Sequence, residues 1–518
     1  MEFMKLEDMT IEQKIGHLIV ARGFIDDEDR QYILEMVKKR CVGGYQYVGA
    51  NNRKLGKEIL AVADYPILIC GDMESGYGEA RYTNHLGIST SNDPKMANLL
   101  ARATAVCAKR NGINFAWAVV ADPTVKGSPG RSGRAFSDDP EVISKFVVEM
   151  IKGYQQEGMI VSLKHYPSHN TPYDTHMKKA VCYQTKEELL NKNLVPYLRA
   201  MKEADLSAIM TGHAMFKNID DVYISSLSKK VIDIIREEGF DGLIVTDSLA
   251  MMAIAQNYGK YECLATAIMA GNDMVLPNYR LSYKESFEYL MKAYEEGIIT
   301  EERLNEAVRR VLTAQERASK PASTTELTDE MREAIDSAAQ KSICGIYKEG
   351  YTAKLDENTK KLFVLLCENE YQNSETDTAE IKLSSPRSRE SMVQKKAEIL
   401  ELFPDAKVLI INEFPRFSEN EQVCYYASET DETIFYTFCS PAAYQGSNCI
   451  TQRIESSIDA NMEKISAIIH VGNPYEISKF KDAKRIITSP SGGKTEDYIL
   501  KALKGEFVPT GKLPVKID

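Results

Sequence analysis

Between residues 10 and about 315, short apolar runs alternate with longer amphipathic segments, and this alternation constrains the fold more than any other feature. The runs are rich in Val, Ile and Leu, as expected of strands that are buried on both faces. They cover residues 42–48, 67–72, 114–120, 160–166, 207–211, 242–247 and 273–276. Helical patterns lie between them at 94–111, 140–156, 186–204 and 229–238. Strands and helices that alternate in this way form parallel units with right-handed crossovers.

These units could form either an open doubly wound sheet or a closed barrel. Seven strands are clear, and an eighth is weak or irregular near the start of the chain. A span of roughly 250–300 residues fits a (β/α)8 barrel better than an open sheet. The sequence therefore predicts an α/β protein with a (β/α)8 TIM-like barrel.

A second series of α/β elements follows the barrel. Residues 318–329 are rich in Pro, Ser and Thr, and a helical pattern covers 330–342. Further apolar runs lie at 361–367, 407–412, 434–438, 467–471 and 485–488. We therefore predict a barrel domain at 1–320, a linker and helix at 321–345, and a smaller α/β sandwich domain with a mostly parallel sheet at 346–518.

Composition excludes several classes of partner. The chain has 64 Lys and Arg residues against 75 Asp and Glu, a formal net charge of -11, so nucleic acid and anionic membrane surfaces are poor partners. No apolar run approaches the roughly 20 residues that cross a bilayer. Residues 1–13 lack an apolar signal core. The ten cysteines are scattered singly, as in reduced cytoplasmic proteins, so we expect a cytoplasmic location.

Polar side chains follow almost every predicted strand, where the active groups of such barrels collect. Four of the seven histidines lie at two of these strand ends. The candidate residues are Asp72, Glu74, Asp122, Arg131, Arg134, Lys164, His165, His169, Asp174, His176, His213 and Asp247.

Each candidate also has a simpler explanation when it is taken alone. Asp247 could cap the next helix, and Asp174 could close an Asx turn on His176. Glu74 could face solvent, and Arg134 could form a surface ion pair with the nearby acidic residues 138 and 139.

The spacing of His165 and His169 could suggest a metal site. However, the segment is typical of a strand end and turn rather than a helix, and no Cys or Glu completes a ligand set, so we predict no metal and no cofactor.

Taken together, the set suits a polyhydroxylated ligand such as a small sugar or an oligosaccharide. Carboxylates and guanidinium groups bind vicinal hydroxyls through charge-assisted hydrogen bonds. A carboxylate that faces an anomeric carbon can act as a nucleophile when an acid protonates the leaving oxygen. Histidine exchanges between acid and base near neutrality, and Asp174 could hold the tautomer of His176.

Several of these segments resemble motifs of the family 3 glycoside hydrolases, in particular the β-N-acetylglucosaminidase branch. They are 71–76 (GDMESG), 133–140 (GRAFSDDP), 164–176 (KHYPSHNTPYDTH), 209–213 (IMTGH) and 242–251 (GLIVTDSLAM). A KH-(F/Y)-P motif followed by D-(S/T)-H is typical of the branch that uses a His–Asp dyad as acid/base. Residues 470–477 (HVGNPYEI) and 505–515 (GEFVPTGKLPV) are similar to the family's carboxyl-terminal domain, so the resemblance covers nearly the whole chain.

The resemblance implies a retaining, exo-acting β-N-acetylhexosaminidase. It implies that Asp247 is the nucleophile and that His176, oriented by Asp174, is the acid/base. The residues it implies for sugar binding are Asp72, Arg134, Lys164 and His165, with His213 near the same subsite. Oligomeric state is left open.

The sequence also departs from the family's usual motifs. Ser168-His169-Asn170 stands where the branch usually has Gly-His-Gly, and 73–76 (MESG) stands where it usually has Gln-Glu-Gly-Gly. The alternatives are therefore a β-glucosidase or glycoside phosphorylase on the same scaffold, or a degenerate sugar-binding relative. Trp117, the only tryptophan, could stack on a sugar or pack beneath the barrel.

Overall fold

The computed structural model describes residues 3–47, 49–128, 133–368, 387–439 and 449–517. The chain divides into two compact units. One consists of Met1–His85 and Asp93–Asp336, and the other of Leu86–Asn92 and Ser337–Asp518. The domain limits at residues 320 and 346 remain predictions. Arg131, a candidate from the sequence, lies outside the described residues.

The first unit contains a barrel of eight parallel strands. Its strands, with two that lie outside the barrel, are β1 (Val20–Ala21), β2 (Gly44–Gln46), β3 (Leu68–Asp72), β4 (Phe115–Trp117), β5 (Ile160–Tyr166), β6 (Ala180–Cys182), β7 (Ala208–Thr211), β8 (Ala214–Phe216), β9 (Leu243–Ser248) and β10 (Met274–Leu276). The barrel order is β1-β2-β3-β4-β5-β7-β9-β10. A parallel bridge between Ile19 and Val275 brings the two ends of this sheet together. The predicted TIM-like barrel is confirmed, and the weak eighth strand is the two-residue β1.

Strands β6 and β8 pair with each other in a separate sheet that sequence analysis did not predict. Both are only three residues long, and each follows a strand-end loop of the barrel. Short strands in such loops carry too few residues for an alternation pattern to be recognised.

Apolar side chains fill the barrel and support the strand ends. One buried cluster includes residues from seven of the eight barrel strands, together with Val311, Ala314 and Ala318 from the last barrel helix. Trp117 belongs to this cluster and is 1% exposed. Of its two alternatives, this burial therefore favours packing within the barrel domain over stacking on a sugar.

The helices, in chain order, are α1 (Ile11–His17), α2 (Asp27–Lys38), α3 (Gly49–Val62), α4 (His85–Thr90), α5 (Pro94–Lys109), α6 (Pro140–Gln156), α7 (Lys186–Glu188), α8 (Val195–Ala204), α9 (Lys229–Glu237), α10 (Met252–Ala255), α11 (Glu262–Ala270), α12 (Tyr283–Glu295), α13 (Glu301–Ala318), α14 (Asp329–Lys341), α15 (Arg389–Leu402), α16 (Phe417–Ser428), α17 (Gln452–Ala460) and α18 (Lys494–Lys504). The helix predicted over 186–204 is interrupted by a π-helical turn at Leu189–Asn193. The side chains of Asp93 and Asp139 cap α5 and α6 by accepting hydrogen bonds from backbone N–H groups in the first turn of each helix. Each is followed by a Pro at the first helical position.

The second unit is a six-stranded sheet. Its strands are β11 (Cys344–Tyr347), β12 (Lys361–Cys367), β13 (Lys407–Asn412), β14 (Glu432–Cys439), β15 (Ile465–Gly472) and β16 (Arg485–Ser489). The order is β11-β16-β15-β14-β12-β13, and only β11 runs antiparallel to its neighbour. Alternate residues of β12 belong to two separate apolar clusters, one on each face of the sheet. The predicted α/β sandwich is confirmed.

Two further findings concern membranes and thiols. Within the described ranges, the structure has no helix with the length and apolar character of a membrane span. All ten cysteines lie in those ranges, and none forms a disulfide.

Candidate active site

A polar cleft opens at the carboxyl ends of the barrel strands. Because parallel strands end at the same rim, side chains that are distant in sequence meet there. The cleft is lined by Asp122, Ser128, Arg134, His165, His169, Tyr173, Asp174, Thr175, His176, Gly212, His213 and Asp247. Six of the eight predicted site residues are in this lining. The other two, Asp72 and Lys164, are connected to the lining residue Arg134 by ion pairs that pass through Glu74.

Asp247 lies at the end of β9 and does not cap the next helix. The N-cap of α10 is Met251, which has no side-chain cap. Oδ1 of Asp247 instead accepts a hydrogen bond from the Ser248 N–H at 2.6 Å. The side chain is 19% exposed, so this carboxylate has limited access to water but remains open to a ligand.

Nearby imidazoles keep the Asp247 carboxylate ionised. Burial by itself would raise the pKa of Asp247, but the charges of His165, His213 and His176 oppose it and lower the pKa to about 2. Nε2 of His165 lies 3.7 Å from Oδ2 of Asp247. That separation is too long for a hydrogen bond, so the interaction is one of charge.

His176 and Asp174 form a hydrogen-bonded dyad. Oδ1 of Asp174 lies 2.7 Å from Nδ1 of the His176 ring and 2.9 Å from the His176 backbone N. The Asx turn considered from the sequence is therefore present, and the same oxygen also orients the ring. A carboxylate on Nδ1 favours the tautomer with the proton on Nδ1, which leaves Nε2 as the basic nitrogen.

The loop that carries the dyad is held against α10. The carbonyl oxygens of Thr175 and His176 accept hydrogen bonds from the N–H groups of Ala253 and Met252, both at 3.3 Å. The first N–H groups of a helix have no partner within the helix, so the loop supplies acceptors that α10 lacks. Sequence analysis did not predict this contact, because it joins segments far apart in the chain.

His165, which lies 3.7 Å from Asp247, belongs to a second His–Asp pair. Nδ1 of His165 is 2.7 Å from Oδ2 of Asp122, which is 2% exposed. Asp122 was a strand-end candidate without an assigned role in the sequence. Its position after β4, one strand from His165 on β5, could have suggested this contact.

Four charged side chains form a chain of ion pairs at the ends of β3 and β5. Nζ of Lys164 lies 2.9 Å from Oδ1 of Asp72 and 2.9 Å from Oε1 of Glu74, and Arg134 Nη2 lies 2.7 Å from the same Glu74 oxygen. Burial would raise the pKa of Glu74, but Lys164 and Arg134 lower it well below its ordinary value. Glu74 thus faces two cations rather than solvent, and Arg134 pairs with it.

His213 is buried, and both of its ring nitrogens contact the protein. Nδ1 lies 2.8 Å from Oγ of Ser226, and Nε2 lies 3.0 Å from the carbonyl oxygen of Ser248. Burial lowers the pKa of His213, against the opposing charge of Asp247. The ring therefore supports the end of β9, and its expected contact with the sugar remains a prediction.

His169 lines the cleft, and its Nδ1 lies 3.0 Å from Oγ1 of Thr171. No group of three or more His, Cys, Asp or Glu side chains among the described residues is arranged to hold a metal ion.

A carboxylate beside imidazoles, at the carboxyl-terminal mouth of a (β/α)8 barrel, lies where the active sites of barrel enzymes are found. Residues 10–314 match the family model described as the glycosyl hydrolase family 3 N terminal domain, and the chain belongs to this family of glycoside hydrolases. It is 30% identical over 236 residues to a beta-hexosaminidase of Stenotrophomonas maltophilia (strain R551-3), covering 43% of this chain and 70% of that protein.

Two solved structures resemble the fold over almost the whole chain. A glycoside hydrolase family 3 beta-N-acetylglucosaminidase from Paenibacillus sp. str. FPU-7 superimposes with a TM-score of 0.80 at 23% identity, covering 98% of this chain and 99% of that one. The beta-glucoside phosphorylase BglX has a TM-score of 0.80 at 21% identity, covering 99% and 94%. Both of these structures therefore share the fold of this chain over almost its whole length.

Proposed function

We propose that this glycoside hydrolase is a retaining, exo-acting β-N-acetylhexosaminidase with Asp247 as nucleophile and His176 as acid/base. The observation that carries the proposal is that the Asp174–His176 dyad and the Asp247 carboxylate line one cleft. The hexosaminidase relative supports the choice of sugar. The substrate is a small glycoside or oligosaccharide, and the proposed location is cytoplasmic.

In the first step, the Asp247 carboxylate attacks the anomeric carbon. The bond from that carbon to the leaving oxygen breaks while His176 Nε2 gives its proton to the oxygen. The pKa of Asp247 near 2 keeps the carboxylate ionised at neutral pH. Asp174 stabilises the ring of His176 while it carries the proton, because its carboxylate lies 2.7 Å from Nδ1.

In the second step, the neutral His176 ring takes a proton from water, and the resulting oxygen nucleophile displaces Asp247 from the sugar. The anomeric configuration is inverted twice and so is retained. One imidazole thus serves as acid and then as base, which requires a group whose pKa lies near neutrality.

The ion-paired residues bind the nonreducing-end sugar in this proposal. Asp72, with a side chain 49% exposed, can accept hydrogen bonds from hydroxyl groups while Lys164 holds it. Arg134, one-third exposed, presents N–H groups to the same sugar, and His165 binds it through Nε2, the ring nitrogen that Asp122 does not contact. Glu74 and Asp122 position them through the contacts described above.

Covalent trapping tests the proposal directly. A mechanism-based fluoro glycoside of N-acetylglucosamine should inactivate the enzyme and label one carboxylate, which peptide mapping should identify as Asp247. The Asp247→Asn variant should take no label and lose turnover. Labelling of another carboxylate, or turnover that survives in Asp247→Asn, would refute the assigned role.

The phosphorylase among the structural neighbours makes phosphorolysis the second candidate. Phosphate would then replace water as the attacking group, and the product would be a sugar phosphate. Turnover of N-acetylglucosaminides and glucosides, each measured with and without phosphate, separates the two reactions and the two sugars. A hexosaminidase should release free N-acetylglucosamine in both conditions. Sugar phosphate as the main product would favour the second candidate.

A further inference from the structure

We propose that Tyr279 is a specificity-determining residue that binds the leaving-group sugar by stacking against its apolar face. The proposal rests on the proposed function, because it names the part of the substrate that lies beyond the bond being cleaved. Sequence analysis did not select Tyr279, which follows the last barrel strand.

The strand register places Tyr279 just beyond the carboxyl end of β10, the strand next to the one that carries Asp247. β10 pairs with β9 so that Leu276 lies opposite Ser248, the residue after Asp247. The chain then leaves the barrel through Pro277 and Asn278 and reaches Tyr279 beyond the carboxyl end of the strand. The Tyr279 side chain is large and apolar, yet the residue is 55% exposed at this position.

Arg22 connects this ring to the site. It directly follows β1, the other neighbour of β10 in the closed barrel. Its Nη1 donates a hydrogen bond to Oγ of Ser248, and its Cζ lies 5.3 Å from the centre of the Tyr279 ring. Arg280 approaches the same ring at 5.8 Å. These cation–π contacts hold an exposed ring in place and so lower the entropy lost when a ligand binds.

The distribution of charged groups around Asp247 gives the direction in which the leaving group extends. Lys164 and His165 come from β5, on the β7 side of β9, whereas Asp72 comes from β3, directly across the closed barrel from β9. Tyr279 and Arg22 come from β10 and β1, on the other side. A sugar held by these charged groups, with its anomeric carbon at Asp247 and its leaving oxygen within reach of His176, leaves the rim at β10 and β1 for the ring beyond that oxygen.

The chemistry of this rim suits a sugar ring. One face of a pyranose presents C–H groups, which pack against the electron-rich face of an aromatic ring. Sugar hydroxyls at the edge can accept hydrogen bonds from a guanidinium group such as that of Arg280. The exposed ring extends the binding surface beyond Asp247 by one residue of an oligosaccharide.

The test compares two substrates that differ only in the leaving group. N,N'-diacetylchitobiose loses a sugar, whereas β-N-acetylglucosaminyl fluoride loses an ion without a ring. Tyr279→Ala should lower kcat/KM for the disaccharide about tenfold and leave that for the fluoride within about twofold. Tyr279→Phe should keep both, because the ring rather than the hydroxyl makes the contact. Tyr425→Ala removes a similarly exposed ring, 57% against 55%, from α16 and serves as the control.

Equal losses on both substrates in Tyr279→Ala, or no loss on the disaccharide, would overturn the proposal. If the enzyme cleaves glucosides instead, the proposed function fails. The effect of Tyr279→Ala on kcat/KM is then compared between cellobiose and β-glucosyl fluoride, and a loss confined to cellobiose supports the role of Tyr279. If no glycoside is turned over, calorimetry provides the readout. Tyr279→Ala should then weaken binding of the disaccharide but not of the monosaccharide, and a failure to do so would also overturn the proposal.

Discussion

The main-chain carbonyl oxygen of His176 accepts a hydrogen bond from the N–H of Met252, with 3.3 Å between nitrogen and oxygen. Met252 is the first residue of α10, which begins shortly after Asp247. This bond therefore joins the loop that carries the imidazole to the segment that carries the carboxylate. The proposed acid/base is therefore held in place by a contact from outside its own loop.

Replacing Met252 with proline should remove this hydrogen bond while leaving α10 intact. Proline is favoured at the first helical position, and Met251 already has the extended backbone (φ -63, ψ 145) that proline requires before it. We expect kcat/KM for N,N'-diacetylchitobiose to fall about tenfold, because His176 is held less well. Met252→Ala keeps the N–H and should retain near-normal activity, so equal losses in both variants would contradict the role of the bond.

Removing the acid should affect substrates according to their leaving groups. In His176→Ala, kcat/KM for N,N'-diacetylchitobiose should fall by about 10²- to 10⁴-fold, whereas that for a dinitrophenyl glycoside should change little, since its leaving group needs no proton. Asp174→Asn should show the same pattern to a smaller extent, because it disturbs the Nδ1 contact at 2.7 Å. Equal losses on both substrates in His176→Ala would argue against its role as acid.

Glu74→Gln should weaken sugar binding more than it affects the chemical step. The carboxylate lies within 2.9 Å of Lys164 Nζ and 2.7 Å of Arg134 Nη2. The neutral amide removes the negative charge between these two cations, so they repel each other and are held less well. We expect KM to rise about tenfold with kcat nearly unchanged. Steady-state kinetics gives both values. A loss confined to kcat would show that Glu74 acts on the reaction rather than on binding.

Protein stability should decrease between neutral and mildly acidic pH, partly because of His17. Burial lowers the pKa of His17 to about 4, against the hydrogen bond to the Gln13 carbonyl. As pH falls below the unfolded value near 6.5, only the unfolded chain gains the proton, so stability falls until the pH reaches the folded pKa. Between about pH 7.5 and 5, His17 should contribute a loss of about 2 kcal/mol.

His17→Asn isolates this contribution, because asparagine can still bond to the Gln13 carbonyl but does not titrate. Urea unfolding of the wild type and of the variant at both pH values gives the change in the free energy of unfolding with pH for each protein. The variant should be less stable at neutral pH, from lost packing, and should lose less stability on acidification. If both proteins lost the same free energy of unfolding on acidification, His17 would not be kept neutral by the fold.

Ser168→Gly should stabilise the protein. Ser168 has a φ of 67°, a left-handed conformation that costs a residue with a side chain roughly 1–2 kcal/mol, and its Oγ is buried without a partner among the described residues. Glycine removes that cost but adds flexibility to the unfolded chain, so we expect a net gain of about 0.5–1 kcal/mol. Ser168→Ala keeps the left-handed strain and should be less stable than Ser168→Gly in the same urea titration.

The class of fold could be predicted from the order of residues alone. Strands that are buried on both faces must be apolar along their whole length, so the runs at 67–72, 160–166 and 242–247 were visible without a structure. Parallel strands end at one rim, so the polar residues after them could be assigned to a common site. The short strands β6 and β8 escaped notice because three residues carry almost no periodicity.

The contacts between side chains within that site depend on the three-dimensional fold. The pairing of Asp122 with His165, the position of Glu74 between two cations, and the bond from Met252 to His176 all join separate strand ends. Their partners are set by the closure of the barrel and by the path of its loops, and neither is encoded in the spacing of residues along the chain. Asp174 and His176 could be paired from the sequence because the two residues lie in one turn, where local geometry is sufficient.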